Sequence, residues 1–128
     1  MPRSSKKLVE LTKCEAEVMD VVWGRNYVTV HDVVEAIGRD LAYTTVLTTL
    51  KILEGKGIVR RGKKVGRAFT YTEKVSRDQV REGMLKSLAD QLFGGSTRSL
   101  VLSLLQSDAV TADDIEAVKE AASKLGES

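Results

Sequence analysis

The chain contains one cysteine, Cys14, and one histidine, His31. A lone thiol cannot close an internal disulfide, so nothing in the sequence asks for an oxidising compartment. A zinc site needs about four N, S or O ligands at recognisable spacing, and no C-x-x-C or H-x-x-x-H pair occurs. No G-x-S-x-G elbow and no glycine-rich phosphate cradle is present either. Both residues read as structural, no metal or cofactor is expected, and an enzyme is disfavoured. Long apolar runs are missing as well: none exceeds three residues, as in Val21-Val22-Trp23 or Leu100-Val101-Leu102. A membrane span needs about 20, and the start Met1-Pro2-Arg3-Ser4-Ser5-Lys6-Lys7 offers no apolar stretch for a secretion signal. A soluble, cytoplasmic protein with no membrane insertion is expected. There is no internal repeat and no low-complexity segment.

What is present suits one small globular chain. Hydrophobic residues make up 42% and charged residues 30% of 128 positions, enough to bury a core and stay dissolved. The net charge of +2 conceals an asymmetry. Residues 1–75 carry 14 Lys/Arg against 9 Asp/Glu, whereas residues 76–128 carry 6 against 9. A basic front half joined to a mildly acidic back half suits a chain that meets a polyanion at one end and protein or solvent at the other.

Periodicity divides the chain into a flexible basic tail over 1–7, a first domain over 8–75 and a second over 76–128. Thr12 with Glu15 fits a capping box, and Ala16, Val18, Met19, Val22 and Trp23 follow at helical spacing up to Gly24. Tyr27-Val28 is a short extended piece. Thr29 with Asp32 caps a second helix carrying Val30, Val33, Val34 and Ile37, ended by Gly38. A third helix spans about Ala42 to Lys56 and stops at Gly57. The period then changes: Ile58–Arg61 and Arg67–Thr72 read as strands around a turn at Gly62-Lys63-Lys64-Val65-Gly66. Ser76 opens a long helix to about Phe93, broken by Gly94-Gly95. A short apolar helix around residues 100–105 follows, and then a last one capped by Thr111.

The third helix departs from local propensity. Four threonines occupy six positions between Thr44 and Thr49, although threonine is a mediocre helix former. At 100° per residue, Ala42, Val46, Thr49, Leu50 and Leu53 gather on a core side. Thr44, Leu47, Thr48 and Lys51 gather opposite, flanked by Tyr43 and Thr45. A solvated helix would favour Glu, Lys or Ala there. Threonine suits a DNA major groove, where the hydroxyl reaches base edges or phosphate and the methyl meets the thymine methyl. The helix N-terminus adds amide donors toward phosphate. From Lys56 to Arg67 there are six basic residues and no acid, so Arg60, Arg61, Lys63, Lys64 and Arg67 are expected to grip phosphates as a flexible, glycine-bounded turn. The alternatives are β-branched residues filling a tight three-helix corner and a solvated edge strand guarded by lysines.

The second domain is small for a free-standing unit, yet its stripes are strongly apolar: Val80, Met84, Leu85, Leu88 and Leu92; Leu100, Val101, Leu102, Leu104 and Leu105; Ile115, Val118, Ala122 and Leu125. Pairing with the same piece of a second chain is the economical outcome. Packing back onto the front half is the alternative. The expected dimerisation residues are Met84, Leu85, Leu88, Leu92, Leu100, Val101, Leu104, Leu105, Ile115, Val118 and Leu125.

Three stretches, Leu11-Thr12-x-x-Glu15-x-x-Val18-Met19-x-x-Val22-Trp23, Tyr43-Thr44-Thr45-Val46-x-Thr48-x-Leu50-x-x-Leu53-x-x-Lys56-Gly57 and Phe93-Gly94-Gly95-Ser96-x-x-Ser99-Leu100-Val101, resemble the penicillinase repressor (BlaI/MecI) family of bacterial transcriptional regulators. The resemblance covers residues 11 to about 105. It implies a mainly α protein, a winged helix-turn-helix N-terminal domain followed by a three-helix dimerisation domain. It further implies a homodimer on a palindromic double-stranded DNA operator, repressing β-lactamase or other antibiotic-response genes. In several relatives a membrane sensor protease system triggers cleavage in the short helix of the dimerisation domain. The aligned bond here is Ser103–Leu104, which differs from the Asn-Phe dipeptide of the penicillinase repressors. The cysteine-rich tail of copper-responsive relatives is absent, and Thr44 stands where several relatives carry lysine. The competing expectation, from another functional class, is a winged-helix protein-interaction adaptor that does not bind DNA.

Overall fold

The computed structural model describes residues 10–126, so the expected basic tail with Arg3, Lys6 and Lys7 lies outside the described residues. The element order is α1 (Lys13–Trp23), α2 (Val30–Ala36), α3 (Tyr43–Gly55), β1 (Val59–Val65), β2 (Ala68–Glu73), α4 (Arg77–Leu92), α5 (Thr97–Leu105) and α6 (Ala112–Gly126). The chain forms two compact units that divide between Met84 and Leu85, part-way along α4.

The starts of α1 and α2 are set by reciprocal caps. Thr12 Oγ1 accepts from Glu15 N at 3.2 Å while Glu15 Oε1 accepts from Thr12 N at 2.8 Å. Thr29 and Asp32 repeat the arrangement for α2, at 3.1 and 3.0 Å. α2 ends at Ala36, two residues before Gly38. Ile37 takes an extended conformation as C-cap, and its side chain packs against the core. α3 stops where Gly57 adopts φ +80°, a left-handed turn that glycine enters without a Cβ penalty.

Val18, Met19 and Val22 from α1 meet Val30 and Val33 from α2 and Val46, Leu50 and Leu53 from α3. Ile58, Val59, Val28 and Tyr71 complete this core, and burial of such side chains contributes about 1.5–3 kcal/mol each. The short extended piece before α2 has a structural task. Val28 N donates to Tyr71 O at 3.0 Å and Tyr71 N to Val28 O at 2.7 Å, which ties β2 to the helices. Ala42 does not join the core as expected; it is the exposed N-cap of α3, beyond the reach of the buried face.

β1 and β2 pair antiparallel, from Val59 opposite Glu73 to Val65 opposite Ala68. The turn is therefore Gly66-Arg67, with Gly66 at φ +65°, and not the five residues 62–66 expected from composition. An irregularity between Arg61 and Lys64 absorbs the extra length. Thr70 Oγ1 donates to Lys63 O at 2.7 Å across it, so the basic segment is paired strand and not the flexible loop expected.

The second unit comprises the rest of α4 with α5 and α6. Gly94 and Gly95, at φ +57° and +85°, end α4. Ser96 Oγ accepts from Ser99 N to start α5, and Thr111 with Asp114 forms the reciprocal cap of α6. Ala89 and Leu100 are buried, whereas α6 has no buried residue.

An ion pair joins the start of α1 to the end of α3. Lys56 Nζ, just past α3, donates to Glu15 Oε1 at 2.7 Å and to Glu10 O at 3.1 Å. Burial pushes the Glu15 carboxyl up, but the hydrogen bonds from Lys56 and Thr12 outweigh it and hold the group below its ordinary value of 4.5. A carboxyl depressed in the folded state stabilises above its unfolded pKa and loses that contribution as pH falls through the folded one. Glu15→Gln should therefore be less stable than the parent at pH 7 by about 1–2 kcal/mol. The two chains should converge as pH drops below 4.5, measured by urea denaturation followed by circular dichroism.

Candidate nucleic-acid interface

The inner side of α3 buries Val46, Thr49, Leu50 and Leu53. Thr49 satisfies its hydroxyl on Thr45 O at 2.8 Å and lies 3.7 Å from Cys14 Sγ, so neither group is turned outward. On the outer side Tyr43, Thr44, Thr45, Thr48, Lys51 and Ile52 are exposed. Leu47, expected in that outer row, is half-buried and packs against the core from its shoulder. Residues one helical turn apart share a face, so Thr44 and Thr48 stack along the helix with Lys51 beyond them.

The start of α3 differs chemically from the other helix starts. α1, α2, α4, α5 and α6 each place a side-chain oxygen on a first-turn amide, whereas the N-cap Ala42 makes no such bond. The first amides of α3 are thus left for an outside acceptor, in the orientation that favours an anion. The approach to this end is braced by Arg39. Its Nε and Nη2 bond both oxygens of Glu17 at 2.9 Å, and these bonds hold the Glu17 carboxyl below the usual range.

Beside α3 stands the β1–β2 finger. The five basic residues expected to grip phosphate divide there into held and free cations. Arg61 Cζ lies 4.4 Å from the centre of the Phe69 ring and Lys64 Nζ 4.9 Å from it. Arg61 Nε also approaches Glu54 Oε2 at 3.8 Å, so it leans back toward α3. Arg60, Lys63 and Arg67 are exposed, and neither they nor Lys64 and Lys51 pair with a carboxylate among the described residues. Lys56, by contrast, is spent on Glu15. Phe69 and Glu54 were not anticipated from sequence. Phe69 faces Lys64 across the strands only in the observed register, so placing the turn at 62–66 hides the contact.

In the second unit the residues expected to pair with another chain fall into two groups. Met84, at the end of the first unit, and Leu85, Leu88, Leu92, Val101, Leu104, Val118 and Leu125 are exposed. Leu105 and Ile115 are half-buried, and Leu100, at 4% exposure, is already covered within the single chain. Ser103 and Leu104 lie inside α5 with both residues exposed. His31 sits on the surface, Nε2 3.0 Å from Glu35 Oε2 one turn along α2. No group of three or more potential metal ligands occurs among the described residues, and no described helix is long and apolar enough to cross a membrane.

Comparison with known proteins identifies relatives along nearly the whole length. The family model described as penicillinase repressor matches residues 11–124. The transcriptional regulator BlaI of Mycobacterium tuberculosis is 36% identical, the match covering 93% of this chain and 87% of that protein. The methicillin resistance regulatory protein MecI of Mammaliicoccus sciuri is 28% identical over 92% of this chain and 97% of its own length. Among solved structures, a mutant MarR from E. coli superposes with a TM-score of 0.50 at 16% identity, covering 91% of this chain and 78% of its own. The complex structure of hsRosR-SG does so with 0.51 at 17%, covering 95% and 97%. The structural likeness establishes the winged-helix fold.

The irregularity in β1 depends on Gly62, where an added Cβ would stand 2.9 Å from Thr70 Oγ1. Because that hydroxyl is held by Lys63 O, it cannot simply swing aside. Gly62→Ala is expected to destabilise the fold by about 1–2 kcal/mol through overpacking. Adding Thr70→Ala should remove part of that cost, so the double-mutant cycle in thermal denaturation should be non-additive.

Proposed function

The chain belongs to the penicillinase repressor family, and on that premise we propose that it is a DNA-binding transcriptional repressor that acts as a homodimer on a palindromic operator. Family and fold are those of transcriptional repressors and not of enzymes. One observation carries the reading: the outward row Tyr43, Thr44, Thr45, Thr48 and Lys51 stands beside a finger whose Arg60, Lys63, Lys64 and Arg67 lack acidic partners among the described residues. In this reading α3 lies in the major groove with its uncapped amides at a phosphate, and the finger follows the backbone. Arg61 has a supporting part, held between Glu54 and Phe69.

The exposed leucines and valines of α4–α6 support the homodimer. No residue of α6 is fully buried within the described chain, Ile115 alone being half-buried, and an amphipathic helix so little covered gains most from a second copy. Twofold pairing then asks for two half-sites on one side of the duplex, spaced near whole helical turns. The relatives are named for methicillin resistance and penicillinase, so the proposal extends to antibiotic-response genes regulated in the cytoplasm. The Ser103–Leu104 bond is the position that a membrane sensor protease system would address. It lies within α5, so cleavage there requires local unwinding of the helix.

The direct test is a fluorescence anisotropy titration with duplexes selected from a random pool. Binding should weaken steeply with salt, with a log–log slope of about −0.9 for each phosphate neutralised. Lys63→Ala and Lys64→Ala should each weaken binding to all sequences alike and flatten the slope by about one phosphate. Affinity that ignores salt would sink the proposal, and failure to bind any duplex would leave an adaptor of protein interactions. For the dimer, Leu88→Glu should convert the protein to monomers in sedimentation equilibrium and remove the preference for two half-sites over one.

A further inference from the structure

The exposed side of α3 is unusual in what it omits. Between Tyr43 and Lys51 it offers hydroxyls, methyls and a phenol ring, followed by one ammonium and the aliphatic Ile52. Guanine is read through paired bonds from Arg or Lys, adenine through paired bonds from Asn or Gln, and cytosine by a carboxylate accepting from its amino group. Arg, Asn, Gln, Asp and Glu are absent from the exposed positions of α3; its one acid, Glu54, is half-buried and turned to Arg61. Leu47 is half-buried at the shoulder, and Thr49 is committed inward. On the row formed by Thr44, Thr48 and Lys51, the base-facing chemistry that remains is the γ-methyls and single hydroxyls of the two threonines, with the Lys51 ammonium at its outer end.

We infer that this surface reads thymine through its 5-methyl group, with Thr44 and Thr48 as the specificity-determining residues. The inference deepens the DNA-binding reading above and rests on it. Thr44 and Thr48 are four residues apart, an axial rise of about 6 Å. That is close to two base-pair steps at about 3.4 Å each, so the two methyls meet bases about two steps apart in each half-site. An apolar contact of this kind discriminates because thymine is the one base of the four with a methyl on the major-groove edge. Lys51, one turn further on, supplies a point charge for a guanine edge or a phosphate at the outer end of the same row.

The test removes one methyl at a time from either partner. The duplex most enriched by this protein from a random pool is resynthesised with deoxyuridine in place of each thymidine in turn, a change confined to the 5-methyl group. The parent protein should lose about fourfold in affinity at each contacted thymine, the fold-change equivalent to about 0.8 kcal/mol for one buried methyl-sized group. Thr48→Ser keeps the hydroxyl and drops the methyl. It should bind the all-thymidine duplex about fourfold more weakly and become insensitive to deoxyuridine at the position facing Thr48. Thr48→Val keeps the methyl contact and should retain the deoxyuridine sensitivity. Both substitutions are at an exposed position, so folding is checked by circular dichroism against the parent. If an enriched duplex is bound with equal affinity in thymidine and deoxyuridine forms, the methyl inference is wrong while DNA binding stands. If no duplex is enriched or bound, the DNA-binding reading itself fails and the inference falls with it. Sensitivity to deoxyuridine that survives unchanged in Thr48→Ser and in Thr44→Ser would assign the methyl contact elsewhere and overturn the roles given to both residues.

Discussion

A helix of 13 residues in a small core has one side to bury and one to leave, and in α3 that division decides the rest. Val46, Leu50 and Leu53 are fully covered, and the fourth buried position, Thr49, closes its own hydroxyl on the preceding turn. Each apolar burial is worth about 1.5–3 kcal/mol. Rotating α3 to hide its threonines would expose those three and bury hydroxyls that have no partner, at a further cost of about 1–3 kcal/mol for each. The outward display of Thr44, Thr45 and Thr48 is thus a consequence of packing, and the same packing holds it rigid.

Around this helix, three contacts tie its surroundings together. Lys56 pins the C-terminal end of α3 to Glu15 at the start of α1. Arg39 braces the segment before its N-terminal end against Glu17. The Val28–Tyr71 bridge fixes the strand pair against the helical core. Cations that would be mobile on an isolated hairpin are therefore carried by a supported one, and Phe69 holds Arg61 and Lys64 over its ring. A preordered side chain loses less freedom on meeting a phosphate than one on a flexible loop. Under the proposed reading, such ordering would favour binding, since long basic side chains otherwise surrender rotamer entropy at each contact.

Much of this was legible in the sequence because the signals were local. Thr12 with Glu15 and Thr29 with Asp32 specify helix starts through bonds that span three residues, and Gly57 marks a stop through its own backbone freedom. The threonine row on α3 follows from a 100° step alone. Contacts between distant residues were not legible. Lys56 looked like one more cation of the finger, because nothing near it in sequence announces a carboxylate 41 positions earlier. The basic stretch 62–66 looked like a loop because glycine at both ends outweighed the alternation within it. A hydroxyl from β2 lets the strand absorb an extra residue there, and composition cannot express that. The 100° step points Leu47 outward, but it lies at the edge of the stripe, where a large side chain can reach back to the core.

The second unit has the opposite balance, with apolar side chains in excess of what one chain covers. Leu85, Leu88, Leu92, Val101, Leu104 and Val118 are all exposed in the single copy. Burying a handful of such groups at about 1.5–3 kcal/mol each can exceed the roughly 4–15 kcal/mol that association costs in lost freedom. The proposed pairing matters for recognition as much as for solubility. In the proposed reading, a face built from methyls, single hydroxyls and one lysine offers at most one of the bidentate contacts worth about 1–3 kcal/mol apiece, so one copy would discriminate weakly between sequences. Two copies held at a fixed spacing add their small preferences and accept only sites that satisfy both, which converts a modest reading surface into a selective one. In the proposed dimer the exposed leucines and the plain chemistry of α3 are two parts of one solution: specificity that one helix lacks would be supplied by the requirement that two helices dock together.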